Sequence, residues 1–237
     1  MTNTEVVNPP IVRTKCNRLP QFLDRTYHQF VLELFDGEIT PDTYLEKCLK
    51  LFQDRKVKAY LSSLEEEVLI GEKQSELLRR HIDQCRYTVL LYRVDENEVH
   101  PPHHHFNVIS TQIVLRGQLR LREYERVRRD RDGALILELV TDQIVKEGDS
   151  FQASEWRRNV HWFQAIGGPA LIFNTNARGF ERETFDSRSA GFGRRYVDPT
   201  RFISECEVRA EEFSQEEADL RFAGKPLDNF PIGVVGR

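Results

Sequence analysis

The chain has 237 residues, 39% hydrophobic and 30% charged, with a formal net charge of −4. Those values describe a globular protein big enough for one domain with an appendage or for two small ones, and they exclude a wholly disordered chain. Net negative charge argues against a nucleic-acid partner, and no apolar run approaches the roughly 18 residues of a membrane-spanning helix.

The elements begin with helices. Residues 1–18 include MTNTEVVNPPIVR, which lacks the basic start and apolar core of a secretory signal. From Gln21 to Phe35, apolar residues at Phe22, Leu23, Tyr27, Phe30, Val31, Leu34 and Phe35 fit one helix face, and Gly37 stops it. A second helix starts at Thr40-Pro41, where proline lacks only an N–H that the first turn leaves unpaired, and carries Tyr44, Leu45, Cys48, Leu49 and Phe52. A third is expected over Leu64–Asp83. No Gly- or Pro-rich linker comes after them, so these helices are expected to pack directly on the β-rich region downstream.

From Tyr87 the pattern turns to short apolar runs broken by turn signals, the mark of an antiparallel sandwich or barrel. The expected strands are Tyr87–Val94, Ser110–Arg116, Gln118–Val127, Ala134–Val140, Gln143–Lys146, Ser150–Ala153, Val160–Ala165 and Ala170–Asn176. Eight such strands match a double-sheet jelly roll. The arginine-rich stretch 126–131 is broken by acids at an expected hairpin tip and reads as a solvated turn. Beyond Thr184 the pattern weakens. Residues 187–195 are a candidate flap, Ser214 with Glu217 signals a capping box, and the tail from Gly224 reads as irregular. The chain therefore divides into a helical region over 1–85, a β-barrel over 86–185 and an extension over 186–237 with one short helix.

Five of the seven histidines stand at His100, His103, His104, His105 and His161. On extended backbone, which Pro101 and Pro102 enforce, the period of two puts His103 and His105 on one face and turns His104 away. A third imidazole from a facing strand would complete one side of a metal coordination sphere and leave open positions for substrate or dioxygen. A metal-free solvated loop is the alternative for the run, and a satisfied core histidine the alternative for His161.

These residues resemble the cupin superfamily, whose first motif is G-x5-H-x-H-x(3,4)-E-x6-G and whose second is G-x5-P-x-G-x2-H-x3-N. His103-x-His105, four residues, Ser110, six residues and Gly117 fit the first spacing. The interval from Gly148 to His161 is two residues longer than in the second motif and lacks its Pro-x-Gly. Ser110 stands where the family has its glutamate ligand. The resemblance implies a mainly β fold, the cupin double-stranded β-helix or jelly roll, with an N-terminal helical region. It also implies a metal held by His103, His105 and His161 without a carboxylate. Among cupins this is similar to the three-histidine thiol (cysteine) dioxygenases, which hold Fe(II). The helical start, the Pro-x-His-x-His segment and the Gly-Gln-Leu-Arg-Leu strand ending in Glu123-Tyr124 extend that likeness over about residues 75–180.

The resemblance suggests a mononuclear iron dioxygenase with dioxygen as cosubstrate, acting on a small polar molecule. Tyr124 and Tyr87 are candidates for proton transfer, though a barrel also needs aromatic filler. Arg80, with Arg79, sits where those dioxygenases have an arginine for the substrate carboxylate; the alternative is a basic helix end facing solvent. Trp162 and Gln112 are candidates for the substrate pocket, Trp156 and Trp162 being equally readable as packing. His100, His104, Gln164 and Asn107 are candidates to steady the ligands, and His100 is also an alternative ligand. Zn, Mn or Ni on the same residues would instead suit an isomerase, lyase or hydrolase, and a non-catalytic ligand-binding cupin is a third option. Scattered cysteines (Cys16, Cys48, Cys85, Cys206) read as free thiols, which suits a cytoplasmic protein with no membrane partner. Cupin barrel edges allow a homodimer.

Overall fold

The computed structural model describes residues 19–67, 73–181 and 192–232. Cys16, most of the candidate flap and the last five residues of the tail lie outside them. Three helices open the described chain: α1 (Gln21–Phe35), α2 (Pro41–Gln53) and α3 (Arg55–Glu67). Helix α1 buries Leu23, Tyr27, Val31 and Leu34, a stripe at helical spacing. The Thr40 hydroxyl caps α2 by accepting from Thr43 N at 3.2 Å, and the Asp54 carboxylate accepts from Lys56 N and Val57 N at 2.8 and 3.2 Å to start α3.

The third helix therefore lies upstream of its expected position, and Gln74–Ile82 is a strand, β1. It alternates, burying Ser75 and Leu77, and pairs antiparallel with β2 (Cys85–Val94) through a two-residue turn between Ile82 and Cys85. Asp83 occupies that turn at φ +50. Glu76, Arg79, Arg80 and His81 give β1 a helix-like polarity, and pairing along an edge of the sheet overrides it.

The remaining strands are β3 (Val99–Phe106), β4 (Val108–Arg116), β5 (Gln118–Arg129), β6 (Leu135–Lys146), β7 (Ser150–Ala153), β8 (Val160–Ala165), β9 (Ala170–Arg178), β10 (Gly193–Asp198) and β11 (Glu207–Phe213). One sheet has the order β1-β2-β9-β4-β7. The other runs β10-β11-β6-β5-β8-β3 and closes by pairing β10 with β3. The fold is mainly β, a jelly roll of two antiparallel sheets with N-terminal helices. The two segments expected over Ala134–Val140 and Gln143–Lys146 are the single strand β6. The extension after 186 supplies β10 and β11 as well as the capped helix α4 (Gln215–Phe222), whose Ser214–Glu217 box is formed as expected. A 3-10 turn at Leu227–Asn229 comes next. No helix among the described residues is long and apolar enough to cross a membrane.

Four apolar clusters result from strand alternation. Cys85, Tyr87, Val89 and Leu91 of β2, with Ile109, Ile113, Leu171 and Phe173, face the helices, where Phe52 meets Phe173 edge-on at 5.6 Å. The opposite face of that sheet, with Val94, Val114, Phe151 and Ile172, packs against Leu119, Leu121, Phe163 and Ala165 to fill the space between the sheets. Tyr124, Leu135, Leu137, Val160, Val197 and Val208 fill the interior of the closed sheet. Trp162, Val99, Phe222 and Leu227 form the smallest cluster, involving α4. The arginine-rich hairpin is not simply solvated. Arg126 donates to the Glu155 carbonyl at 3.1 Å and Arg129 to Glu212 at 2.8 Å.

Candidate metal centre

The Pro-Pro pair shapes the site. Proline donates no N–H to a ladder, and the β3–β8 register shifts between His100 and His103. On the two sides of this bulge, His100 pairs with Phe163 and His103 with His161, two residues apart on β8. His100, His103 and His105 thereby share a face. His100 stacks on Phe163 at 4.5 Å between ring centroids. His103 lies 4.3 Å from His161 and 5.0 Å from His105, and His105 lies 5.1 Å from His161. One ligand nitrogen from each of His103, His105 and His161 falls within 4.8 Å of the others.

His103 and His161 are almost fully buried, at 2% and 3% exposure, and the His105 ring is buried with them although that residue as a whole is partly exposed. Burial holds the imidazoles of His103 and His105 well below their ordinary range and takes His161 down to about 3 and His100 to about 4. The positive charge of Arg194 adds to each of these effects. The rings are therefore neutral at pH 7, the form that ligates metal. His103 Nδ1 lies 2.8 Å from the Pro101 carbonyl, which only accepts, so Nδ1 carries the proton and Nε2 has a free lone pair. That Nε2 is buried without a hydrogen-bond partner, and so is His161 Nδ1. Buried unpartnered nitrogens are costly, and three converging neutral imidazoles are a donor set for a first-row divalent cation. The residues fit a metal.

Other predicted residues are placed elsewhere, mostly because neighbours on a strand face opposite ways. His104 points away from the cluster, and its Nε2 donates to Glu212 at 3.2 Å. Glu212 also accepts from Arg129 and Arg195 at 2.8 and 2.7 Å, and its carboxyl is held far below the usual range by these partners against the opposing effect of burial. Trp162 and Gln164 flank the inward residues of β8 and so face outward. Trp162 packs on Phe222 and Phe230, and Gln164 Oε1 accepts from Leu227 N at 3.0 Å. Tyr87 lies on the helix side of β2 and bonds to His28. Tyr124 sits in the closed sheet's apolar interior, where burial pushes its hydroxyl up to about 12. Arg80 pairs with Asp24 of α1. Asn107 clasps the Glu181 backbone, donating at 2.8 Å and accepting at 2.9 Å. Of these predicted residues, only His100 and Gln112 face the space between the sheets, Gln112 accepting from the Tyr92 hydroxyl.

Three further residues, Glu123, Arg194 and Tyr196, lie near the cluster. Glu123 pairs across β5 with His161, is fully buried, and receives Arg158 at 3.0 Å while its Oε1 has no partner. Burial pushes its carboxyl up to about 7, with Arg158 opposing. The alternation Leu119, Leu121, Glu123 was the available signal, since it sets an acid on an apolar face. Tyr196 and Arg194 of β10 pair with His103 and His105. Nothing in the sequence announces which strand β10 joins. Ser110, at the motif's glutamate position, is buried on β4 beside Asn176.

No family model matches the sequence, and no curated protein matches it. Among solved structures, KdgF from Halomonas sp. aligns at 18% identity and a TM-score of 0.31, over 48% of this chain and 84% of that one. A cupin superfamily protein from Desulfitobacterium hafniense aligns at 14% and 0.31, over 48% and 84%. Procruciferin, an 11S globulin of Brassica napus, aligns at 12% and 0.32, over 46% of this chain. The aligned part spans 22% of the globulin chains from Brassica napus and Wrightia tinctoria. Similarities this distant carry no argument about activity. The chemistry rests on the histidines themselves.

Proposed function

We propose that the protein is a mononuclear non-haem Fe(II) dioxygenase in which His103, His105 and His161 hold the metal and the substrate is a small polar molecule. The observation that carries this reading is the pair of buried, unpartnered nitrogens, His103 Nε2 and His161 Nδ1, within a three-imidazole cluster. A metal bound there would supply Lewis acidity and one-electron chemistry with open positions for substrate and dioxygen. The chain's own contribution is positional. Pro101 fixes the His103 tautomer, Asn159 Nδ2 donates to the His105 carbonyl at 2.7 Å, and Phe163 excludes water beside His161.

A second reading draws support from Glu123. A fully buried carboxyl near neutrality beside His161 suits general acid–base work on a Zn, Mn or Ni site, as in an isomerase, lyase or hydrolase. Elemental analysis of the purified protein, with oxygen uptake on thiols, amino acids and diketones, separates the two. Stoichiometric iron and substrate-dependent oxygen consumption support the first reading. Another metal with turnover that persists without air supports the second, and a protein that takes up no metal overturns both.

The free thiols Cys48, Cys85 and Cys206 suit a reducing, cytoplasmic setting. β1 and β7 are the edges of the five-stranded sheet, and pairing of such edges is how a homodimer would form.

A further inference from the structure

We propose that Gln112 and Asn174, joined through Tyr92, form a neutral hydrogen-bonding wall opposite the three histidines, so that the substrate is an uncharged polyhydroxyl compound. This rests on the reading of the cluster as a metal centre and adds the substrate's class. On each sheet the inner face changes from apolar to polar at one level. On the histidine sheet, Leu121 and Phe163 pair across β5 and β8, and the next inward pair is Glu123 and His161. On the facing sheet, Val114 and Ile172 pair across β4 and β9, and the next inward pair is Gln112 and Asn174. Tyr92 of β2 lies on that inward face too, with its ring centroid 6.1 Å from that of His100. His100 in turn stacks on Phe163, whose ring lies 6.0 Å from His161. The wall and the cluster therefore line one space.

A polar inner face is costly unless its groups are paired, and here the pairing stops short. The Tyr92 hydroxyl donates to Gln112 Oε1 and has Asn174 as a second partner. Lower on the wall, Asn176 Oδ1 accepts from Thr88 at 3.0 Å and from Arg178 Nε at 2.8 Å. What remains is Asn174 Oδ1, buried with no partner, and Gln112 Nε2, which has none among the described residues. Gln112 is itself only 3% exposed. The two amides stand directly across the β4–β9 ladder, so an acceptor and a donor wait side by side. A hydroxyl both donates and accepts, and hydroxyls on neighbouring carbons satisfy both amides at once. A carboxylate only accepts, which would leave Asn174 Oδ1 unpaired, and a thiol is a weak donor. The wall thus selects for hydroxyls over either.

The test is isothermal titration of the purified full chain with erythritol, with the butanediol that keeps only its terminal hydroxyls, and with succinate. The expected result is tighter binding of erythritol than of either other probe by about tenfold or more. Gln112→Glu keeps an oxygen for the Tyr92 hydroxyl and removes the donor, and Asn174→Leu removes the acceptor; each is expected to weaken erythritol by about tenfold. Asn174 is partly exposed, so its substitution is the one that spares the fold, and circular dichroism checks the Gln112 variant. Equal binding of erythritol and butanediol, tighter binding of succinate, or erythritol binding that neither substitution weakens overturns the proposal. Metal content of the same preparations separates the two claims. Amide-dependent erythritol binding without uptake of Fe(II), Zn, Mn or Ni keeps the wall and removes the metal centre. Metal uptake with no preference for hydroxyls removes the wall alone.

Discussion

His161→Ala separates a metal centre from an ordinary buried histidine by the difference between metal-free and metal-loaded protein. Truncating a large buried side chain costs about 2–4 kcal/mol in lost contacts and residual cavity. His161, however, carries a buried Nδ1 with no partner, and deleting such a group returns about 1–3 kcal/mol. The metal-free variant is therefore expected to lose only about 1–2 kcal/mol. In the wild type, a cation at about one hundred times its dissociation constant adds about 2.7 kcal/mol, which for a chain of this size raises Tm by about 5–10 °C. In the variant that shift falls to near zero, because two imidazoles on one strand no longer surround the ion. Thermal unfolding with and without added Fe(II) under anaerobic conditions, with metal content by elemental analysis, gives both numbers. An equal metal-induced shift in the variant refutes the assignment of His161.

Glu123→Gln tests the buried carboxyl. Its pKa is raised to about 7 from an ordinary 4.5, so the folded state holds the proton more tightly and wild-type stability declines as pH rises from about 4.5 through 7. Glutamine removes that decline, so the variant gains up to about 2–3 kcal/mol on the wild type between pH 5 and pH 8 in urea unfolding; parallel curves would contradict it. Gly117→Ala is expected to cost about 3 kcal/mol or more, because Gly117 has φ +76 and an added Cβ would lie 2.4 Å from the Pro169 carbonyl oxygen. An unchanged urea midpoint would show that this turn moves freely. Tyr87→Phe loses the bond to His28, about 1 kcal/mol, and leaves metal content untouched, since the ring lies on the helix side of β2. Loss of metal in that variant would reinstate Tyr87 at the site.

What the sequence discloses tracks how local the cause is. Helix α1 and the start of α2 arise from the spacing of apolar residues and from Thr40-Pro41, all within one or two turns, and both form as expected. The Ser214 cap is equally local. Strand β1 is hidden because its charges are compatible with a helix and only its partner β2 decides the matter. The gathering of His103, His105 and His161 was readable because period two and one motif spacing suffice. Residues of long-range origin were not. Arg194 and Tyr196 reach the cluster only because β10 closes the second sheet onto β3, nearly ninety residues away. Trp162 and Gln164 adjoin His161 in sequence, but strand alternation on β8 sends them to the other face.

Strands β3 and β8 each serve two interiors, and that division gives the Pro101-Pro102 bulge its role. On one face of β3 lie His103 and His105. On the other lies His104, held by Glu212 together with Arg129 and Arg195. A slip of one residue would exchange these faces, burying imidazoles against the carboxylate cluster and aiming His104 at His161. The contacts of Glu212 anchor the outward residue from β5, β10 and β11 at once. The prolines absorb the mismatch upstream, so that His100 remains on the inward face against Phe163. The inward set is thus fixed by what its outward neighbours hold, and the site's precision comes from residues that never touch it.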